Sequence, residues 1–234
     1  MAEFFDNLVD LIAHEEITQQ RLNRIGAAIR TEQVRDSYLI LRHGTRGGAD
    51  INEYRMDDHG NRQDDVGLAK GLVVTSGYAL SCVHFSTAFQ SDSKCRYLGG
   101  QKIGGRDTYV VFAQQPGKSG IAVTMKGSRG TAVRMLTQGL VWVDKKNFHI
   151  RRMRMDLLAR QPEIGLDKQT TRVNLSEVHL PDLSTPLWLP RDLSVSAKFR
   201  GADDANLLSR QFENLHHYTN CRRYRVSTKM LTPK

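Results

Sequence analysis

The stretch GLVWVDKKNFHIRRMRMDLLA, residues 139–159, decides how this chain is read. Val141 and Val143 share one face of an extended segment and Trp142 takes the other. Asp144-Lys145-Lys146-Asn147 is polar enough to turn. Phe148 and Ile150 then alternate with His149 and Arg151. After that the register changes: Arg152, Arg154 and Asp156 fall on the parity of Phe148, while Met153, Met155 and Leu157 fall on the parity of His149. Strand side chains alternate with period two, so the apolar face swaps sides within one strand. A β-bulge near Arg151-Arg152 restores it, returning Met153 and Met155 to the face of Phe148 and Ile150. Arg152 and Arg154 then form a solvated ladder on the outer face, balanced by acidic neighbours.

Outward from this hairpin, strand patterns dominate from residue 34. They cover 34–42, 51–56, 95–103, 107–114, 120–125, 169–180, 187–200, 207–217 and 221–230. Turn signals separate them at IGGRD (103–107), QPGKSG (115–120) and DKKN (144–147). Serial strands with short connections predict one antiparallel sheet, and no βαβ alternation suggests a parallel one. Phe5, Leu8, Val9 and Ile12 follow i, i+3, i+4, i+7 spacing, which predicts an amphipathic helix over 4–25 that Gly26 ends. The weakly patterned 64–90 segment has room for a further short helix. No repeat or linker divides the chain, so 1–234 reads as a single domain with its sheet over 34–230.

Composition sets limits on function. The chain has 234 residues, 39% of them hydrophobic and 25% charged, with 34 Lys and Arg against 25 Asp and Glu, for a net charge of +9. A chain of this size buries about 70% of its unfolded surface and needs no metal or disulfide to hold a core. The positive excess favours anionic partners without choosing among them. No apolar run approaches the ~20 residues that a membrane-spanning helix requires.

Chemical motifs are sparse. PGKS (116–119) has Phe112 where a phosphate loop needs glycine, and it lies between strands. Cys82, His84, Cys95, His216, His217 and Cys221 are metal-ligand types without any close Cys pair, so no metal or other cofactor is expected. The aspartates of DDHGNRQDD (57–65) lack calcium-loop spacing. No G-x-S-x-G elbow or paired carboxylates argue for catalysis. HHYTNCRRYRVSTK (216–229) interleaves Arg222, Arg223 and Arg225 with Tyr218 and Tyr224. With Arg152 and Arg154 these form an alternative anion-binding set, although signatures of sheet-based RNA binders are missing.

Several blocks taken together carry a resemblance: SYLILR, INEYRMDDHGNRQDD, CRYLGGQKIGGRDTYVVFAQQPG, QGLVWVDKKNFHIRRMRMDLL and LWLPRDLSVSAKFRG. In order and spacing they resemble a family of uncharacterised bacterial envelope proteins over most of 34–230. WVDKKNFHIRRMR is also similar to the Trp-Asp-Arg hairpin of Lol-type lipoprotein carriers and related anti-sigma regulators. Those are half-open antiparallel β-barrels with helices packed in the concave face, and they bind lipid or lipoprotein acyl chains. The resemblance implies an α+β fold: a large curved antiparallel sheet with N-terminal and internal helices on its concave face. It makes Leu140, Trp142, Met153, Met155, Leu187 and Leu189 the expected concave ligand-binding residues.

The function so implied is non-catalytic: holding a lipid-like ligand, a lipoprotein or an envelope partner protein. A nucleic-acid or anion-binding module and an unrecognised hydrolase stay as alternatives. Family members carry a signal peptide, whereas MAEFFDNLVDLI is acidic where a basic leader should be. A periplasmic location therefore implies a trimmed start, with a cytoplasmic protein as the alternative. In an exported form Cys82 and Cys95 are the expected disulfide, because the loop between them is short; closing it contributes about 3 kcal/mol at best.

Overall fold

A computed structural model describes residues 10–43, 50–62, 77, 94–114, 121–124, 132–181, 183–200 and 210–224. Twelve strands run through them: β1 (Leu11–Leu22), β2 (Ala28–His43), β3 (Asp50–Met56), β4 (Lys94–Ile103), β5 (Arg106–Gln114), β6 (Ile121–Thr124), β7 (Ala132–Met135), β8 (Thr137–Asp144), β9 (Ile150–Leu157), β10 (Leu166–Val178), β11 (Leu187–Phe199) and β12 (Arg210–Arg223). Ten form one open antiparallel sheet in the order β3-β2-β1-β12-β11-β10-β9-β8-β5-β4, and β6 pairs with β7 separately. β1 and β12, the first and last of the described strands, lie side by side inside the sheet, leaving β3 and β4 as its edges.

The N-terminal helix expected over 4–25 is not formed in its described part. Residues 11–22 are β1, and Asn23 to Ala27 make a hairpin turn into β2. Leu11, Ala13, Glu15, Ile17 and Gln19 are buried in strict alternation. Period-two burial between two neighbouring strands outweighs a helical pattern that rests on Phe5, Leu8 and Val9, which lie outside the described residues. The turn is chemically apt: Asn23 Oδ1 accepts from the N–H groups of Ile25 (3.0 Å) and Ala27 (2.9 Å). Gly26 supplies the left-handed backbone, φ +84°, that side chains resist. Among the described residues the sole helical segment is a 3-10 turn, Pro162–Ile164, so the helical half of the α+β expectation is corrected there. The 64–90 helix candidate lies outside them, Gly77 excepted.

The bulge expected near Arg151-Arg152 is present. Trp142 pairs with Arg152 and Val143 with Ile150, so Arg151 is the extra residue. In their described parts the expected strands 207–217 and 221–230 are one: β12 runs through Asn220, whose φ of +51° accompanies a bulge against β1. Asparagine tolerates this conformation better than most residues, which lets the strand continue.

The bulges keep one face packed throughout. Val141, Met153, Val173 and Leu193 sit side by side across β8, β9, β10 and β11. All four belong to the main core with Leu11, Tyr38, Ile40, Leu189 and Tyr218. Leu180 and Leu183, from the β10–β11 connection, pack onto it. Burying a side chain the size of Met153, here 1% exposed, contributes about 1.5–3 kcal/mol.

Candidate functional site

Strand pairing divides the packed face into two halves. Following one register line from β8 to β1, the residues are Val141, Met153, Val173, Leu193, His216 and Ile17. The next line reads Gly139, Met155, Thr171, Val195, Asn214 and Gln19. Apolar side chains predominate from β8 to β11, buried Thr171 excepted, and further buried polar side chains gather on β12 and β1. They stay buried: Asn214 and His216 are 2% exposed and Gln19 1%. Gly139 leaves no room for a side chain, since a Cβ there would meet the Arg154 carbonyl oxygen at 2.9 Å.

The polar half centres on Glu15, whose side chain is fully buried. Arg55 grips it with two hydrogen bonds, Nε to Oε2 at 2.5 Å and Nη2 to Oε1 at 2.9 Å. Tyr218 donates its hydroxyl to Oε1 at 2.7 Å, and His216 Nδ1 lies 2.8 Å from the same oxygen. Against an ionised carboxylate that ring nitrogen acts as donor. Burial alone pushes the Glu15 carboxyl up, but the bonds from His216 and Arg55 more than reverse this and hold it at about 2. Burial, then the Glu15 charge, push the Tyr218 hydroxyl well above its ordinary value, so it stays protonated and donates. Arg55 also lies 5.6 Å from the Tyr38 ring centroid.

Asp36 faces Glu15 across the β1–β2 pair. Burial and the neighbouring Glu15 charge raise its carboxyl from 3.8 to about 6. Its Oδ2, and Oε1 of Gln19, are buried without a hydrogen-bond partner among the described residues. Gly77 caps this region. Its N–H donates to Glu53 Oε2 at 2.9 Å, and a Cβ on it would lie 2.4 Å from the Tyr38 ring.

The six expected concave residues separate into two groups. Met153 and Leu189 are in the main core, Leu187 packs against it, and Met155 is buried beside Met153's register line. Leu140 and Trp142 point the other way, because they pair with Arg154 and Arg152. Trp142 donates Nε1–H to Gln101 Oε1 at 2.7 Å, and the Arg152 guanidinium sits 5.9 Å from its ring.

The alternative anion-binding arginines are not brought together. Arg152 donates to Asn174 Oδ1 at 3.0 Å, and Arg154 pairs with Asp156 at 3.0 Å. Arg222 and Arg223 pair with Ile12 and Leu11 at the end of β12, three strand spacings from β9, which is about 14 Å. Arg225 lies outside the described residues. Cys95 is an exposed free thiol, and Cys82, its expected partner in an exported form, lies outside the described residues. Among the described residues, no three His, Cys, Asp or Glu side chains converge to hold a metal. No helix there is long and apolar enough to cross a membrane.

Sequence reasoning missed Glu15, Arg55, Asp36 and Gln19. A signal existed in LIAHEEITQQRL: the parity of Leu11, Ala13 and Ile17 also contains Glu15 and Gln19. Read as a strand, that places a carboxylate on the apolar face, where it must find a partner.

The architecture is therefore a large open antiparallel sheet with one packed face, the class to which the Lol-type half-barrels belong. Three solved structures share features of it. A domain named for outer membrane lipoprotein sorting, from Vibrio parahaemolyticus, is 8% identical with a TM-score of 0.44, covering 95% of this chain and 88% of its own. A LolA superfamily protein from Nitrosomonas europaea is 13% identical with a TM-score of 0.42, covering 99% and 94%. A DUF1329 family protein from Desulfovibrio piger is 10% identical with a TM-score of 0.47, covering 97% and 90%. No protein-family description matches the chain, and no curated protein does.

Proposed function

We propose that this is a non-catalytic binding protein that holds an amphipathic, lipid-like ligand, free or carried by a lipoprotein, against the packed face of its sheet. The observation that supports this is the gathering of buried polar side chains, Glu15, Gln19, Asn214 and His216, on β1 and β12 beside a mainly apolar β8–β11 half. The ligand's hydrocarbon part lies on the β8–β11 half, where Met153 and Met155 supply unbranched side chains that repack around different chains. Its polar end lies over β12 and β1, where Gln19 Oε1 accepts a hydrogen bond from it. An unpartnered buried carbonyl costs about 1–3 kcal/mol, which a ligand donor recovers. Asp36, with its raised carboxyl, offers a second polar contact. The envelope location implied by the sequence resemblance is part of this proposal.

Titration with a fluorescent fatty-acyl probe tests it. Saturable binding is expected, weakened severalfold by Gln19→Leu, which keeps the volume but removes the acceptor. No saturable binding by folded protein, or binding indifferent to Gln19→Leu, contradicts the proposal.

A further inference from the structure

The β8–β9 turn adopts a backbone that its sequence does not favour. Phe148 has φ +59° and is 66% exposed. Glycine fills this left-handed position without strain, and a phenyl ring gains nothing from facing water. The turn is nonetheless firmly held. Phe148 N–H donates to the Asp144 carbonyl at 3.0 Å, and Asp144 N–H donates to that of His149 at 2.9 Å. Lys146 N–H donates to Asp144 Oδ1 at 2.8 Å. Strain kept in order to display an aromatic side chain points to a use for that side chain.

Phe148 heads a short aromatic row. It stacks on Tyr109 with ring centroids 6.4 Å apart, and Tyr109 meets the edge of Tyr97 at 6.0 Å. Tyr97 is 60% exposed, and Leu98 beside it 46%. Lys145 binds the turn to the β4–β5 hairpin, its N–H on the Asp107 carbonyl at 2.9 Å and its ammonium 5.2 Å from the Tyr109 ring centroid. The pairings Ile103–Arg106 and Thr108–Asp144 set both turns at the same end of the sheet. Lys102, Arg106, Lys145 and Lys146 are exposed there. Of the acidic residues in these two turns, Asp107 is exposed, and Asp144 is 1% exposed.

We propose that this end of the sheet docks on an anionic lipid bilayer, with Phe148 entering the headgroup–acyl boundary and the four cations meeting lipid phosphates. Apolar tips ringed by Lys and Arg bind such a surface by adding buried apolar area to electrostatic attraction. Tyr97 and Tyr109 suit the headgroup level, each with an apolar ring and a polar tip. The net charge of +9 gives the whole chain the matching sign. Single-stranded nucleic acid also seeks basic residues among aromatics, but it stacks on open ring faces. Phe148 and Lys145 both lie against the Tyr109 ring, and Leu98 has no ring.

Sedimentation with vesicles of phosphatidylcholine, alone or with about 30% phosphatidylglycerol, tests the docking at about 0.1 M salt. Binding at least about tenfold stronger to the anionic vesicles is expected. The double substitution Lys102→Glu, Lys145→Glu should lower it by about tenfold or more. Phe148→Gly relieves the turn, so it should lower vesicle binding severalfold with no loss of thermal stability. Equal binding to both vesicle types, binding undiminished in both variants, or displacement of the protein from vesicles by an oligonucleotide that it prefers overturns the proposal. Pelleting with intact vesicles reads the docking, whereas a labelled lipid carried into the supernatant reads the packed face, so each can fail without the other.

Discussion

Glu15 and Arg55 form a two-bond ion pair on the packed face, with 0% and 10% of their side chains exposed. Removing one partner of such a pair strands the other charge away from water, at about 3–5 kcal/mol. Glu15→Gln should therefore destabilise the protein by that amount, read as a lower urea midpoint at unchanged slope. A loss under about 1 kcal/mol means that Arg55 finds other solvation and the cluster is not a fixed element of the fold.

Asp36 should act in the opposite direction. Its carboxyl is raised from 3.8 to about 6, so between those values the native state holds a proton that the unfolded chain releases. Its contribution therefore becomes less favourable as pH rises through that window, and the full penalty applies above pH ~6. Glu15, held at about 2 rather than 4.5, contributes stability that is complete above pH ~4.5 and is lost as pH falls toward 2. Asp36→Asn should stabilise the protein by about 1–2 kcal/mol near pH 7.5 and by almost nothing near pH 4. Urea midpoints at the two pH values measure this; a destabilised variant at the higher pH contradicts the assignment.

The hairpin 139–159 was legible because its alternation is strict and its break has one cheap explanation, a bulge. Arg151 is that bulge, and Met153 and Met155 lie on the packed face. The half-barrel resemblance puts Leu140 and Trp142 on that face, against their own parity. The Arg152 guanidinium over the Trp142 ring shows that an outer face also shelters a large apolar side chain. β1 is hard to read as a strand because a buried Glu and Gln interrupt its apolar parity, and the partners that make the burial of Glu15 tolerable come from β3 and β12. Arg55 is forty residues from Glu15 in sequence, and His216 and Tyr218 more than two hundred. Sequence periodicity holds no record of contacts that distant.

The two faces of β9 should respond differently to substitution. Met155→Asp buries an unpaired carboxylate and should destabilise by several kcal/mol. Arg154, with 41% of its side chain exposed beside Asp156, should tolerate Ala at under about 1 kcal/mol. Thermal denaturation of both variants decides this. The reverse order inverts the faces.

Gly77→Ala should cost about 1–3 kcal/mol, because its Cβ overlaps Tyr38, which is 0% exposed and has nowhere to move. Serine at the same position should be no better. Wild-type stability for either variant means that Gly77 does not rest on the ring.

The central claim, an amphipathic ligand on the packed face, is tested most directly by native mass spectrometry of gently purified protein. The account predicts a population heavier than the bare chain by the mass of a lipid, and its restoration after delipidation by adding phospholipid. Bare protein before and after that addition, from a sample whose circular dichroism shows the sheet intact, contradicts it.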